Sequence, residues 1–266
     1  MNSRSIAMLI AMVMVCAVAF CGCTGSPSTE EPTTTAAPAE TPLYVVGIDG
    51  DYPPYTYIDE NGDPTGFDVE SIQWIADEMG FEVTIQPMAW DGIIPSLLQG
   101  KIDMVYSGMT ITPERLEKVS FSTPYWVVNQ SVAVREDSEL SLDDFTAGTV
   151  VTGTQRSCTA NDWIETNLVE TGKLPEEDLK LYDNIQLALT DLQNKRVDAV
   201  MYDVPVIRTS IEGKPLKVLG TIQTDEEYGV AIRKEDTELL ATVNEGLARL
   251  MASPKWDELK QKYEME

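Results

Sequence analysis

From Leu43 onward, short runs of β-branched and aromatic residues alternate with stretches whose apolar residues recur at helical spacing. This alternation narrows the accessible folds more than any other feature of the chain. "LYVVGID", "EVTIQPM" and "IDMVYSG" are strand-like. Between the first two, "DVESIQWIADEMG" puts Ile72, Ile75, Ala76 and Met79 on one helical face, with Gly80 as a stop. "DGIIPSLLQGK" is a short helix, and "PERLEKV" opens another with Pro113 at a tolerated first-turn position. The order βαβαβα predicts a parallel sheet with helices on both faces. A second unit of the same kind begins around "QSVAVRED". Its strands "GTVVTGT", "DLKLYD", "VDAVMYD" and "PLKVLGTIQ" are interleaved with the helices "TANDWIETNLVE" and "IQLALTDLQNKR". "EYGVAIRK" and a long amphipathic tail follow, and no internal repeat is visible. With 266 residues the chain accommodates one large or two modest domains.

The segment before this body is of a different kind. Arg4 precedes the apolar run "IAMLIAMVMVCAVAF", and "FCGC" ends it with small residues ahead of Cys23. Residues 1–22 are expected to be a signal peptide whose removal leaves a lipidated Cys23; an uncleaved membrane anchor is the alternative. Residues 23–42, rich in Thr, Pro, Ala and Glu, have no periodic apolar positions and are expected to be a tether. Either reading places the body outside the cytoplasm.

Composition excludes several chemistries. The chain has no histidine and four cysteines, of which Cys16 and Cys21 would leave with the expected signal and Cys23 would carry lipid. Cys158 is then alone, so no disulfide within the mature chain, no zinc site of the usual kind and no Ser-His-Asp or Cys-His nucleophile is expected. No cofactor or metal is implied. A net charge of −25 argues against nucleic acid and anionic lipid as partners.

Five stretches, in this order and at these separations, carry a resemblance: "YPPYTYIDENGDPTGFDVE", "WDGIIPSLLQGKIDM", "SGMTITPERLEKVSFSTPYW", "RVDAVMYDVPV" and "YGVAIRK". Together they resemble the polar amino-acid binding proteins of ABC importers, the extracellular solute-binding proteins of family 3, over Leu43 to Glu266. The resemblance implies a type II periplasmic-binding-protein fold, with two α/β lobes joined by two hinge strands and the ligand in the cleft. It further implies a discontinuous first lobe, 43–129 plus 224–266, and a second lobe, 130–223. The protein would be a monomeric receptor, held by lipid at the outer face of the cytoplasmic membrane. It would close around a polar amino acid and deliver it to an importer permease.

An α-amino acid presents a carboxylate and an ammonium at fixed spacing, and burying either unpaired costs several kcal/mol. Arg115, whose planar fork suits a carboxylate, matches the family's carboxylate partner, with Gly108 and the Thr110 turn as further donors. Ser107 or the Gly108 carbonyl would help hold the ammonium. Without the resemblance, Arg115 reads as a surface arginine pairing with Glu114 or Glu117. Asp203 ends a strand where ligands of open α/β sheets gather, and matches the ammonium partner; a helix N-cap is its structural reading. Tyr52 and Trp90 match positions that stack on the ligand side chain. Asp49 is a candidate contact for a polar or cationic side chain.

One stretch departs from the family's pattern. Where the family usually has a Gly-Thr/Ser-rich turn, this chain has "TGTQRSCTAND", with Arg156 in a common glycine position and Cys158 at the position that the resemblance implies touches the ligand carboxylate. Asn129-Gln130-Ser131 fits a glycosylation sequon on an expected hinge strand, where chance explains it better. Two other classes remain: a secreted cyclohexadienyl or arogenate dehydratase-like enzyme on the same fold, and the ligand-sensing subunit of a receptor. The first would need a carboxylate as its general acid.

Overall fold

The computed structural model describes residues 41–265. The expected signal segment 1–22, the lipidation candidate Cys23 and the tether up to residue 40 lie outside the described residues.

Two five-stranded sheets organise the described chain. In the first, strands Glu82–Pro87, Leu43–Ile48 and Met104–Val105 lie side by side and parallel, because helices carry the chain back between them. Ala231–Ile232 then inserts antiparallel between Met104–Val105 and Ser120–Phe121. The second sheet repeats the plan: Leu179–Tyr182, Thr152–Gln155 and Ala199–Asp203 are parallel, while Trp126–Arg135 and Leu216–Tyr228 run antiparallel. The expected all-parallel sheets are therefore mixed. The two longest strands pair with each other in opposite directions, and strand-like apolar runs carry no information on that choice.

Local signals explain most helices. Phe67–Met79 buries Ile72, Ile75 and Ala76 against the long helix Thr237–Met251 and ends at Gly80, whose φ of 77° suits a glycine C-cap. Ile185–Gln193 buries Ile185, Ala188, Leu189 and Leu192, the face given by its spacing. Pro113–Lys118 starts on proline and is capped by the Thr112 hydroxyl, which accepts from Arg115 N at 3.2 Å. One element was not apparent in the sequence: a small three-stranded sheet of Asp51–Tyr52, Thr56–Ile58 and Pro64–Thr65, whose strands are too short to show a period. The helix Val204–Ile211 follows Asp203 directly, where the N-cap reading put a helix start.

Each sheet with its helices forms one lobe. Trp126–Arg135 and Leu216–Tyr228 cross from one to the other, paired from Trp126↔Tyr228 to Arg135↔Leu216. Their register is interrupted between Ile222 and Glu226, where Asp225 takes a φ of 49°. Asn129 spans the interruption by accepting from Thr224 N and Asp225 N, both at 2.9 Å. The carboxyl ends of the strands Met104–Val105 and Ala199–Asp203 thereby face each other across the cleft. Among the described residues no helix is long and apolar enough to cross a membrane.

Candidate functional site

The corner after Met104–Val105 is shaped by Gly108. Its φ is 53°, and a Cβ there would lie 2.5 Å from the Tyr52 ring, so only glycine brings the turn this close to the aromatic. The turn is held from behind by Asp68, fully buried, which accepts from Gly108 N at 2.7 Å and from the Tyr125 hydroxyl at 2.8 Å. Burial pushes the Asp68 carboxyl up to about 7 against those two hydrogen bonds. This corrects one expectation: the Gly108 N–H is committed to Asp68 and is not free to meet a ligand anion.

Arg115 lies in the first turn of Pro113–Lys118 and is 8% exposed, which excludes the surface-arginine reading. It donates to Thr110 O at 2.9 Å and, across the cleft, to Ser157 O at 3.2 Å. Its guanidinium sits 5.5 Å from the Trp90 ring centroid, a cation–π arrangement that fixes the plane of the fork. Trp90 itself donates from Nε1 to Ser157 O at 3.0 Å. Ser157 has a φ of 60°, which turns its carbonyl back toward the first lobe.

On the opposite wall, Asp203 ends Ala199–Asp203 and is 6% exposed. Although it precedes the helix Val204–Ile211, its side chain makes no capping bond. Its carboxylate accepts from the Tyr52 hydroxyl at 2.7 Å and from Gln130 Nε2 at 2.5 Å. Burial, and then the neighbouring Glu226 carboxylate, push it up to about 7 despite these donors. The Tyr52 hydroxyl also lies 2.6 Å from that of Tyr228, and the Tyr52 ring stacks on Tyr55.

Seven of the nine candidates converge on one cavity: Tyr52, Trp90, Gly108, Thr110, Arg115, Cys158 and Asp203, joined by Thr159 and Tyr202. Its volume is about 10 Å³, so with the lobes in this closed position an amino acid enters only if they part. The two other candidates lie outside its lining. Ser107 is buried in the first lobe, accepting from Asp49 N at 3.0 Å and meeting Thr56 Oγ1 at 2.8 Å. Asp49 is 5% exposed and accepts from Gln155 Nε2 of the second lobe at 2.8 Å; burial raises its carboxyl above the usual range.

The divergent turn is now explicable. Arg156 points away from the cleft and pairs with Asp183 and the Leu181 carbonyl. The Cys158 thiol caps the helix Thr159–Ile164: it donates to Gln155 O at 3.0 Å and accepts from Asn161 N at 3.4 Å. Burial pushes that thiol up to about 12, which keeps it protonated as a cap of the helix. Asp198, at the other end of its strand, is structural, accepting from Val151 N. Among the described residues no group of three or more Cys, Asp or Glu is placed to hold a metal ion.

Reasoning from the sequence missed Gln130, Glu226 and Tyr228. A signal existed for two of them. Gln130 alternates with the buried Val128 and Val132, so a polar side chain faces inward there, and Glu226 shares the face of Tyr228 two residues on.

Comparison with known proteins places this geometry in context. The L-cystine-binding protein TcyJ of Escherichia coli (strain K12) is 30% identical over 224 residues, covering 82% of this chain and 81% of the relative. A solved ancestral arginine-binding protein bound to arginine superposes with a TM-score of 0.77 at 32% identity, over 83% of this chain and 97% of that one. An ancestral amino acid-binding protein, described as a precursor of cyclohexadienyl dehydratase, superposes at 0.74 with 36% identity, over 83% and 95%. The model of the bacterial extracellular solute-binding proteins, family 3, matches residues 44–266, and the chain belongs to that family.

Proposed function

We propose that this protein is an extracytoplasmic receptor for a polar α-amino acid, with a cationic side chain favoured, that closes on its ligand and presents it to the permease of an ABC importer. One observation carries the reading. Arg115 of one lobe and Asp203 of the other face a single cavity, opposite in charge and both buried. A zwitterion between them pairs its carboxylate with the guanidinium and its ammonium with the aspartate, and can do both only when the lobes are together. Asp49 and Gln155 meet across the cleft beside this pair. A cationic side chain reaching them would satisfy the Asp49 carboxylate and favour its charged form. Relatives named for arginine and cystine support an amino acid as the ligand class.

The hinges are assigned to the crossing strands, dividing the chain into 43–129 with 224–266 and 130–223. Signal cleavage after residue 22 and lipid attachment at Cys23, supported by the sequence, and a monomeric state, implied by the family resemblance, complete the proposal. The test is a thermal-shift panel of the common amino acids followed by calorimetry. L-arginine, L-lysine or L-histidine is expected to raise the melting temperature in proportion to the logarithm of its concentration. If sugars or peptides do so and no α-amino acid does, the assignment is wrong.

A dehydratase is the second reading, because a carboxyl held at about 7 in the cleft has a pKa suited to a general acid. Conversion of prephenate by the purified protein would establish it; Asp203 then donates a proton instead of pairing an ammonium.

A further inference from the structure

Glu226 lies on the second crossing strand, immediately after the break in register that begins at Ile222. Its Oε2 accepts two hydroxyl hydrogen bonds, from Thr110 at 2.8 Å and from Thr159 at 2.6 Å. Thr110 belongs to the Arg115 turn of the first lobe, and Thr159 opens the helix after the Cys158 cap in the second. One carboxylate oxygen therefore ties both lobes to the hinge. Its Oε1 accepts from Gln130 Nε2 at 2.9 Å, and that same nitrogen reaches Asp203 at 2.5 Å. Gln130 thus links the tie to the proposed ammonium partner.

These contacts differ between closed and open forms. Thr110 and Thr159 ride on opposite lobes, so opening must break at least one of their bonds to Oε2. Hydrogen bonds to a charged acceptor are among the stronger ones in proteins, and contacts made in only one state are what bias a two-state equilibrium. The surroundings argue against a merely solvated glutamate. Glu114, Asp162, Asp225 and Glu227 line the same groove, and the described groove wall carries no basic side chain to attract a fifth carboxylate. Glu226 is held there by donors, two of which come from opposite sides of the cleft.

We propose that Glu226 is the latch of the closed form, a positioning residue that grips Thr110 and Thr159 together and, through Gln130, makes closure responsive to the partner of Asp203. The proposal rests on the cleft being the amino-acid site, but its first test does not. Small-angle scattering of the purified protein without ligand compares wild type with Glu226→Gln and Thr159→Val. Both variants are expected to be more extended than wild type. If both scatter as wild type does, the latch is overturned, whatever the ligand proves to be.

The second test uses L-arginine as the probe. Dissociation from Glu226→Gln is expected to be about tenfold faster, with association changed by less than about twofold, because the contact exists only after closure. Glu226→Gln and Thr159→Val should also be non-additive in a double-mutant cycle. A purely structural glutamate would lower the melting temperature and leave the dissociation rate unchanged, which overturns the proposal. Wild type that ignores L-arginine refutes the cationic ligand, and the scattering comparison alone then decides the latch.

Discussion

The Tyr52 hydroxyl, from a short strand of the first lobe, donates to the Asp203 carboxylate at the end of a strand in the second, over 2.7 Å. On the proposed reading an ammonium approaching Asp203 competes with that donor, and the Tyr52 hydroxyl is its neutral stand-in in the closed cleft. Asp203→Ala removes the only aspartate lining the cavity. It is expected to weaken amino-acid binding at least ~100-fold, in line with leaving a buried charge unpaired. Calorimetry settles this, and unchanged affinity would sink the ammonium assignment.

Arg115 is expected to be irreplaceable by lysine. Its fork spans Thr110 O and Ser157 O while its plane faces Trp90, a combination a point charge cannot reproduce. Arg115→Lys should cost about tenfold or more in affinity, and Arg115→Ala ~100-fold or more, for every α-amino acid alike. A loss confined to one ligand side chain would move Arg115 from the carboxylate subsite to the side-chain subsite.

Affinity should rise with pH. Burial and Glu226 hold the Asp203 carboxyl near 7, and an ammonium needs it ionised. Below that value each pH unit costs up to about tenfold, as protons compete with the ligand. Titration between pH 5 and 8 by calorimetry should show this slope, and Asp203→Asn should lose it along with most of the affinity.

Stability should run the other way. Asp68 is raised to about 7 in the folded state, so between roughly pH 4, where an exposed aspartate titrates, and pH 7 the native protein keeps a proton that the unfolded chain releases. Stability therefore falls as pH rises through that window, by a few kcal/mol on the order of 1.4 per unit. Asp68→Asn keeps an oxygen for both donors, which share Oδ2, removes the titration, and buries an amide NH2 at the place of the unpartnered Oδ1. Its melting temperature should depend less on pH than that of wild type, although it is lower at acid pH.

Asp49→Asn is expected to discriminate among ligands. Asp49 accepts from Gln155 across the cleft, and on the proposed reading it would favour a cationic side chain. The substitution should weaken L-arginine more than L-glutamine, by about tenfold in the ratio of affinities. An equal loss for both makes Asp49 a support of the lobe contact alone.

Much of the architecture was legible from residue 43 onward because its signals are local. The faces of Phe67–Met79 and Ile185–Gln193, the Gly80 stop and the Pro113 start depend on neighbours within a turn of helix. Seven candidate residues met at one cavity because motif order carried information that spacing did not. The direction of Trp126–Arg135 against Leu216–Tyr228 was not legible, since pairing between strands some ninety residues apart leaves no periodic trace.

The sequence by itself determined most of the secondary elements, the absence of histidine chemistry and the family to which the chain belongs, since each is written in residue types and their order. Tertiary structure decided which candidate groups are free to act. Gly108 N–H is spent on Asp68, Ser107 on Thr56 and Asp49, and the Cys158 thiol on its own helix, whereas Arg115 and Asp203, each hydrogen-bonded to cleft neighbours, both line the cavity between the lobes. Glu226 acquired its position only when two lobes and a broken hinge register brought Thr110 and Thr159 to one oxygen. A hydrogen-bond donor can be read from a sequence, but whether it is already occupied depends on what the fold packs against it.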